Sequence, residues 1–432
     1  MHKIFSRVLT VLIIVMSSIV AIQAQGLTPH KGVVRIKLQT EVAKSIGNRT
    51  ITATNGMLST GIHTLDVSAH KVKALNIKRV FPYNAQYESQ MAQYGLDRWY
   101  EVTFDESVNP YEAQRIFSQT AGVQNATCKV PMTLRENGSY RISSPLSTEE
   151  RTSVMPFNDP RLPAQWHYNN TGMLGTSVMG ADINLFKAWE YVTGNNNVTI
   201  AIIDGGIDYT HEDLSDNIRL NSIELNGETG QDDDGNGYID DIYGWNFCTN
   251  SKDIYPHAHG THVAGTIGAI NNNGIGVCGI AGGNGLGYSG IKMLSCQVFD
   301  SRSGSGMGDF AAAIVYAANR GASIANCSWG WATPDYYEQD VIDAIDYFIG
   351  MNRGTNLNGG VKFIATGNDG AKGNFYPAYY EKVVAVGSMT SDFTIAPYSN
   401  HGEWVDIVAP GGILDYGEAY GVLSTLPHNI YG

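Results

Sequence analysis

Cysteine is scarce in this chain: five residues in 432, at Cys128, Cys248, Cys278, Cys296 and Cys327. None stands in a CxxC pair or beside a histidine cluster, which argues against a cysteine-held metal. The count is odd, so an oxidising compartment leaves one thiol over. Removal of the N-terminal region would take Cys128 with it and leave four. Cys296 and Cys327 sit in strand-like runs, where buried thiols and disulfides both stay open. Long apolar runs are also lacking. After residue 24 no segment is long and apolar enough to span a membrane. Positive charge is thin after residue 150: residues 151–432 hold 12 Lys+Arg against 30 Asp+Glu, a balance of −18. That excess of acid argues against nucleic-acid binding. No internal repeat is found.

What is present divides the chain in two. Lys3 and Arg7, a mostly apolar stretch from Val8 to Ile22, and the small Ala24 read as a signal peptide over residues 1–24. Export follows; an uncleaved anchor is the alternative. Residues 1–150 carry 16 Lys+Arg and 11 Asp+Glu, a balance of +5. A basic N-terminal part beside an acidic remainder implies two units that attract each other. GVVRIKLQ (32–39) and WYEVTF (99–104) alternate like strands. Asn109 caps a helix running to about Thr120, with Pro110 at its first position. Residues 122–134 read as turn and strand. Together these predict a small α+β unit over residues 25–150. The polar stretch 136–153 is expected to be a cleavable linker.

After Pro156 the pattern changes. Asp182 is expected to cap a helix through Tyr191. Apolar strand runs lie at 198–203, 291–299, 323–327, 361–365 and 383–386, with helical stretches at 261–270, 309–320 and 337–350. Alternation of this kind predicts an α/β fold with a parallel sheet flanked by helices. Sites in such folds lie beyond the carboxyl ends of the strands. Asp204, Ser328 and Asn368 each follow a strand run, so topology alone draws them to one edge. An Asp at a strand end, a His opening a helix and an Asn in a glycine-flanked turn suit hydrolytic chemistry by an activated nucleophile.

AIIDGGID (201–208), HGTHVAGT (259–266), GSGMGD (304–309), NCSWG (326–330), ATGNDG (365–370) and VAPGG (408–412) resemble, in order and spacing, the motifs of the subtilisin-like serine proteases. The resemblance covers about residues 156–432. It implies that Asp204 orients an imidazole, that His259 is the general acid/base, and that Asn368 donates to the oxyanion. His257 is read as solvated and His262 as packed. Ser305-Gly306 and Ser328-Trp329-Gly330 would pair with an extended substrate backbone. Two departures stand out: Gly205 replaces the usual Ser or Thr after the Asp, and Trp331 replaces a small residue. A third is larger. GVLSTLPHNIYG (421–432) resembles the approach to the family's nucleophile, so the serine is expected about ten residues or fewer beyond Gly432. Ser177 and Ser388 lie in superficially similar strings and are set aside. On this reading the 432-residue chain is an inactive precursor of a secreted or cell-surface endopeptidase, monomeric, acting on protein or peptide substrates. Residues 25–150 resemble the family's propeptide, which would be its inhibitor and partner. The alternatives are a non-catalytic peptide-binding protein of the same fold and a calcium-dependent adhesion module.

DDDGNGYIDD (232–241) spaces oxygen ligands around a glycine turn. Asp232, Asp234, Asn236 and the Tyr238 carbonyl fall at alternate positions, and Asp240 or Asp241 closes the set, which suits calcium. A solvated acidic loop is the alternative. The resemblance implies a second calcium site from Asp213, Asn272 and the carbonyls of Ile270, Ile275 and Val277. A one-residue insertion makes Asn273 the alternative to Asn272. Both ions would be structural.

Overall fold

The computed structural model describes residues 28–134, 140–143, 155–287, 289–300, 306–351 and 359–432. The expected signal peptide and most of the expected linker lie outside them.

The N-terminal unit is built from β1 (Val33–Leu38), α1 (Thr40–Ile46), β2 (Ile51–Thr52), α2 (His63–Lys71), β3 (Ala74–Arg79), α3 (Glu88–Gln93), β4 (Trp99–Phe104), α4 (Pro110–Ser118) and β5 (Val123–Thr127). Asn109 caps α4 through a bond from the Tyr111 N–H, with Pro110 at the first position. The strands form an antiparallel sheet in the order β2-β3-β4-β1-β5. One face carries Val34, Ile36, Leu38, Tyr100, Val102 and Phe104 into a core of its own.

A short strand β6 (Thr133–Leu134) leads out of this unit. The larger unit holds α5 (Leu185–Trp189), β7 (Thr199–Gly205), α6 (Ser222–Asn226), β8 (Gly244–Asn246), α7 (Ala258–Gly268), β9 (Lys292–Asp300), β10 (Gly306–Met307), α8 (Phe310–Asn319), β11 (Ile324–Cys327), β12 (Trp329–Gly330), α9 (Gln339–Gly350), β13 (Val361–Ala365), β14 (Val384–Met389), β15 (Ile407–Pro410), β16 (Thr425–Leu426) and β17 (Ile430–Tyr431). Its main sheet runs β10-β9-β7-β11-β13-β14-β15, with β8 also on β9. Seven of these eight strands are parallel and β10 is antiparallel. Every residue of β7 is buried, as a central strand covered on both faces requires. The alanine-rich α8 is buried along almost its whole length, and small side chains let α9 pack closely on it.

The helix expected from Asp182 begins later. The Asp182 carboxylate instead accepts the N–H groups of Asn184 and Asn170, and α5 starts at Leu185. All five cysteines are thiols, four of them buried. Cys296 on β9 and Cys327 on β11 are separated by β7, which answers the choice left open in the sequence.

The second face of the N-terminal sheet docks on α8 and α9. Phe81, Met91, Leu96, Trp99, Val130 and Met132 join the larger unit's core there. Arg35 is buried among Asp340, Glu101 and Asp309, donating to Asp340 at 2.5 Å and to Glu101 at 3.3 Å. Lys37 pairs with Asp343, which also accepts the Trp99 indole N–H at 2.8 Å. The basic and acidic parts of the chain therefore meet through specific ion pairs.

Candidate active site

Asp204 lies at the carboxyl end of β7, and His259 in the first turn of α7. The two elements are in backbone contact: a side chain on Gly260 would overlap the Gly205 carbonyl. This closeness brings His259 Nδ1 to 2.7 Å from Asp204 Oδ1, with both side chains buried. The Gly205 N–H donates to the same Oδ1 at 2.6 Å. Asp204 Oδ2 has no hydrogen-bond partner among the described residues. This is where the departure at Gly205 shows, since no hydroxyl follows the aspartate.

His262, one turn along α7, bonds through Nε2 to the Val422 carbonyl at 2.9 Å, and burial pulls its pKa down to about 4. It is a packed, neutral ring. His257 is not solvated as expected. It is half-buried, and its Nδ1 accepts the His259 N–H.

Asn368 follows β13 in a turn entered through Gly367, whose φ is 117°. Asn400, which carries no motif signal, braces that turn. Its Oδ1 accepts the N–H groups of Asp369 and Ala371, and its Nδ2 donates to the Thr366 carbonyl. His259 and Asn368 line one cavity of about 480 Å³, together with Tyr140, Arg141, Ser388 and Gly432. Ser388 shares a 2.7 Å hydrogen bond with the Tyr398 hydroxyl, and Ser177 accepts the Leu174 N–H.

Beyond β11 the chain enters β12, which pairs antiparallel with β6: Trp329 opposite Leu134 and Gly330 opposite Thr133. The Trp329 ring points inward, donating to the Ile203 carbonyl at 2.7 Å and packing on Phe310, so this segment offers backbone. Ser328 accepts from the Asn326 side chain. Trp331 is fully buried against Tyr336. Gly306 lies in β10 opposite Asp300; Ser305 falls outside the described residues.

The acidic loop brings together Asp234, Asp241 and Glu224, with one oxygen from each within 4.8 Å of the others. Glu224 is ten residues upstream of Asp234 in α6, and the loop spacing gave no hint of it. Burial raises the Asp241 pKa to about 6. Asn236 donates to Asp234 and Asp241. Asp232 accepts the N–H groups of Asn236 and Gly237 and holds the turn. Asp240 is turned to Lys252 and Gly230, so Asp241 is the one facing the cluster. The Tyr238 ring is buried in the main core.

At the second place Asp213 is fully buried, and burial raises its pKa to about 7. It accepts from the Asn273 side chain at 2.7 Å and from the Val277 N–H at 3.0 Å; its carbonyl accepts the Ile270 N–H. Asn273 also accepts the Ile275 N–H. Asn272, at φ 59°, turns instead toward Asn158 and Asn284.

A family model described as "Subtilase family" matches residues 195–431, and one described as "N-terminal of Subtilase family" matches residues 34–172. A thermophilic serine proteinase of Bacillus sp. (strain AK1) is 31% identical over 317 residues, covering 72% of this chain and 68% of that protein. A halolysin-like extracellular serine protease of Natrialba magadii is 31% identical over 247 residues, covering 56% of this chain and 39% of the relative. Of subtilisin-like protease 1 from Plasmodium vivax, 35% identical over 202 residues, the chain spans 29%. The crystal structure of fervidolysin from Fervidobacterium pennivorans superposes with a TM-score of 0.58 at 19% identity, over 92% of this chain and 48% of that one, a likeness of fold.

Proposed function

The chain belongs to the subtilase family, as a subtilisin-like serine protease with an N-terminal propeptide, and from that premise we propose that it is the precursor of a secreted, calcium-stabilised endopeptidase. The observation that carries this reading is the 2.7 Å contact between His259 Nδ1 and Asp204 Oδ1 on the edge that also bears Asn368. Asp204 holds the imidazole with its proton on Nδ1, leaving Nε2 to take a proton from a serine hydroxyl and return it to the leaving amine. The Asn368 amide donates to the oxyanion that forms at the attacked carbonyl. The serine hydroxyl would act in the cavity that His259, Asn368 and Gly432 line together. The substrate backbone would pair, as an added strand, with the segments around Ser305-Gly306 and Ser328-Trp329-Gly330.

The pairing of β6 with β12 supports an inhibitory propeptide, because it fills the edge a substrate strand would use. Residues 1–24 are removed on export, residues 25–150 form the propeptide and its linker, and residues 156–432 belong to the peptidase domain. Extracellular location draws on the relative described as extracellular. Among the described residues no helix is long and apolar enough to cross a membrane.

The oxygen donors fit a hard cation. Asp234, Asp241 and Glu224 would hold one calcium ion. Asp213 and Asn273, with carbonyls from Ile270, Ile275 and Val277, would hold another. Each ion would offset carboxylate charge that burial penalises and would tie loops to the body. Neither takes part in the reaction.

The test is labelling of the active protein by a serine-directed phosphonate. Labelling is expected, and His259→Ala should abolish it. Undiminished labelling in the mutant would refute the assigned base. No labelling at all would leave a peptide-binding groove without chemistry.

A further inference from the structure

Besides direct backbone contact and the Asp204–His259 pair, the His257 side chain joins the end of β7 to the start of α7. The His257 N–H donates to the Gly206 carbonyl at 2.8 Å, and Gly206 and Pro256 form a bridge of parallel type. The imidazole then folds back over the β7 terminus. A Cβ built on Gly205 falls within 2.6 Å of the His257 Cβ and Nδ1, so the ring occupies the space a side chain at 205 would need. Its Nδ1 accepts a 3.2 Å hydrogen bond from the backbone N–H of His259. That N–H is one of the amides at a helix start with no intrahelical acceptor.

We infer that His257 is a positioning residue, which caps α7 through the amide of His259 itself while bearing on the turn that carries Asp204, and so fixes how the two side chains of the pair meet. This rests on the reading of Asp204 and His259 as the catalytic pair. The need for such a device is visible at the carboxylate. Asp204 is held through Oδ1 alone, by the Gly205 N–H and His259, and Oδ2 has no partner among the described residues. A carboxylate held on one oxygen can swing, and the imidazole must then be brought to it by the helix. Gly205 and His257 form one unit: glycine leaves the room that the ring fills.

The prediction is made for the active protein, freed of its propeptide. In its proton NMR spectrum the His259 Nδ1–H bonded to Asp204 should give a low-field resonance, assigned by its loss in His259→Ala. Hydrolysis of a peptide ester supplies kcat and KM. His257→Ala should broaden or lose the resonance and lower kcat by on the order of tenfold to a hundredfold, the scale of a displacement of about 1 Å. KM should stay within about twofold. His257→Asn places an acceptor where Nδ1 stood and should recover both signals. Gly205→Ala should mimic His257→Ala, and combining the two should cost little more than either alone. If His257→Ala fails to fold, His257→Gln takes its place, filling the space with its acceptor one bond too far. A resonance and kcat unchanged in His257→Ala, or an Asn variant no better than Ala, would overturn the proposal. A wild-type protein without the resonance would overturn the pair itself, and this role with it.

Discussion

Arg35→Met should undock the propeptide. The Arg35 side chain is 2% exposed, and the carboxylate of Asp340, to which it donates at 2.5 Å, is fully buried. Asp309 keeps 23% and Glu101 15% of its side chain in contact with water, and Glu101 has a second partner in Lys78. The cost of removing the guanidinium thus falls mainly on Asp340. Removing one partner of a buried pair costs about 3–5 kcal/mol. A middle value of about 4 kcal/mol is nearly three decades in an equilibrium constant. The Val130 N–H reports on docking directly, because it bonds at 2.7 Å to Glu338 of the other unit. Amide exchange in the full-length chain should show the Val130 proton lost several hundredfold faster in Arg35→Met, while the amides of β4 that pair only within the N-terminal sheet change far less. The double variant Arg35→Met with Asp340→Leu should regain most of the protection, since apolar replacement of both partners removes the stranded charge. Exchange at Val130 within about threefold of wild type would refute the reasoning, as it would put the pair in the range of a surface ion pair.

Other outcomes are expected alongside it. In the active protein Asp204→Asn should lower kcat by about 10⁴ through the wrong imidazole tautomer, and Asn368→Leu by about 10²–10³ through a lost oxyanion donor; both are read from steady-state kinetics. Chelation of calcium should lower the melting temperature, and Asp213→Asn should blunt that response; an unchanged melt would count against both ion sites. Trp329→Ala should cost about 3–5 kcal/mol of stability, seen by denaturant titration, because it empties the space between β7 and α8. Docking should also depend on pH. Burial raises the pKa of Glu338 and of its neighbour Asp340. Their contribution is therefore full below the ordinary carboxylate range and is lost as pH rises through their raised values. Asp309, depressed chiefly by Arg35 against the opposing effect of its burial, acts the other way: its contribution is present above the ordinary range and is lost as pH falls through its lowered value. Glu338→Gln should flatten the alkaline side in the Val130 exchange assay.

That Asp204, His259 and Asn368 come together was legible because each lies in a contiguous string: a strand end, a helix start, a glycine turn. What depends on partners distant in sequence was not. Glu224 reaches the acidic loop because α6 packs beside it, and nothing in the loop's spacing requires a residue from there. Asp182 looked like a helix cap, yet its carboxylate was taken by two other amides. His257 looked solvated because nothing in the sequence places it against Gly205, fifty-two residues away.

The docked sheet shows how far the pattern itself can carry. VVRIKL alternates, and Val34, Ile36 and Leu38 duly fill the N-terminal core. Period two says that the two faces of a strand differ; it does not say that the polar face is wet. Here the polar face is Arg35 and Lys37, and both are buried against carboxylates of α8 and α9 or of the turns just before them. The difference in charge balance between the two parts of the chain was the only trace of this in the sequence, and it is a summed quantity that cannot name a pair. Acidic residues at 309, 340 and 343 read equally well as a solvated helix surface until a second unit covers them. The same uncertainty applies to any strand whose polar residues are all of one sign: its alternation gives the register, and the charge of a separate unit decides whether that face meets water or protein.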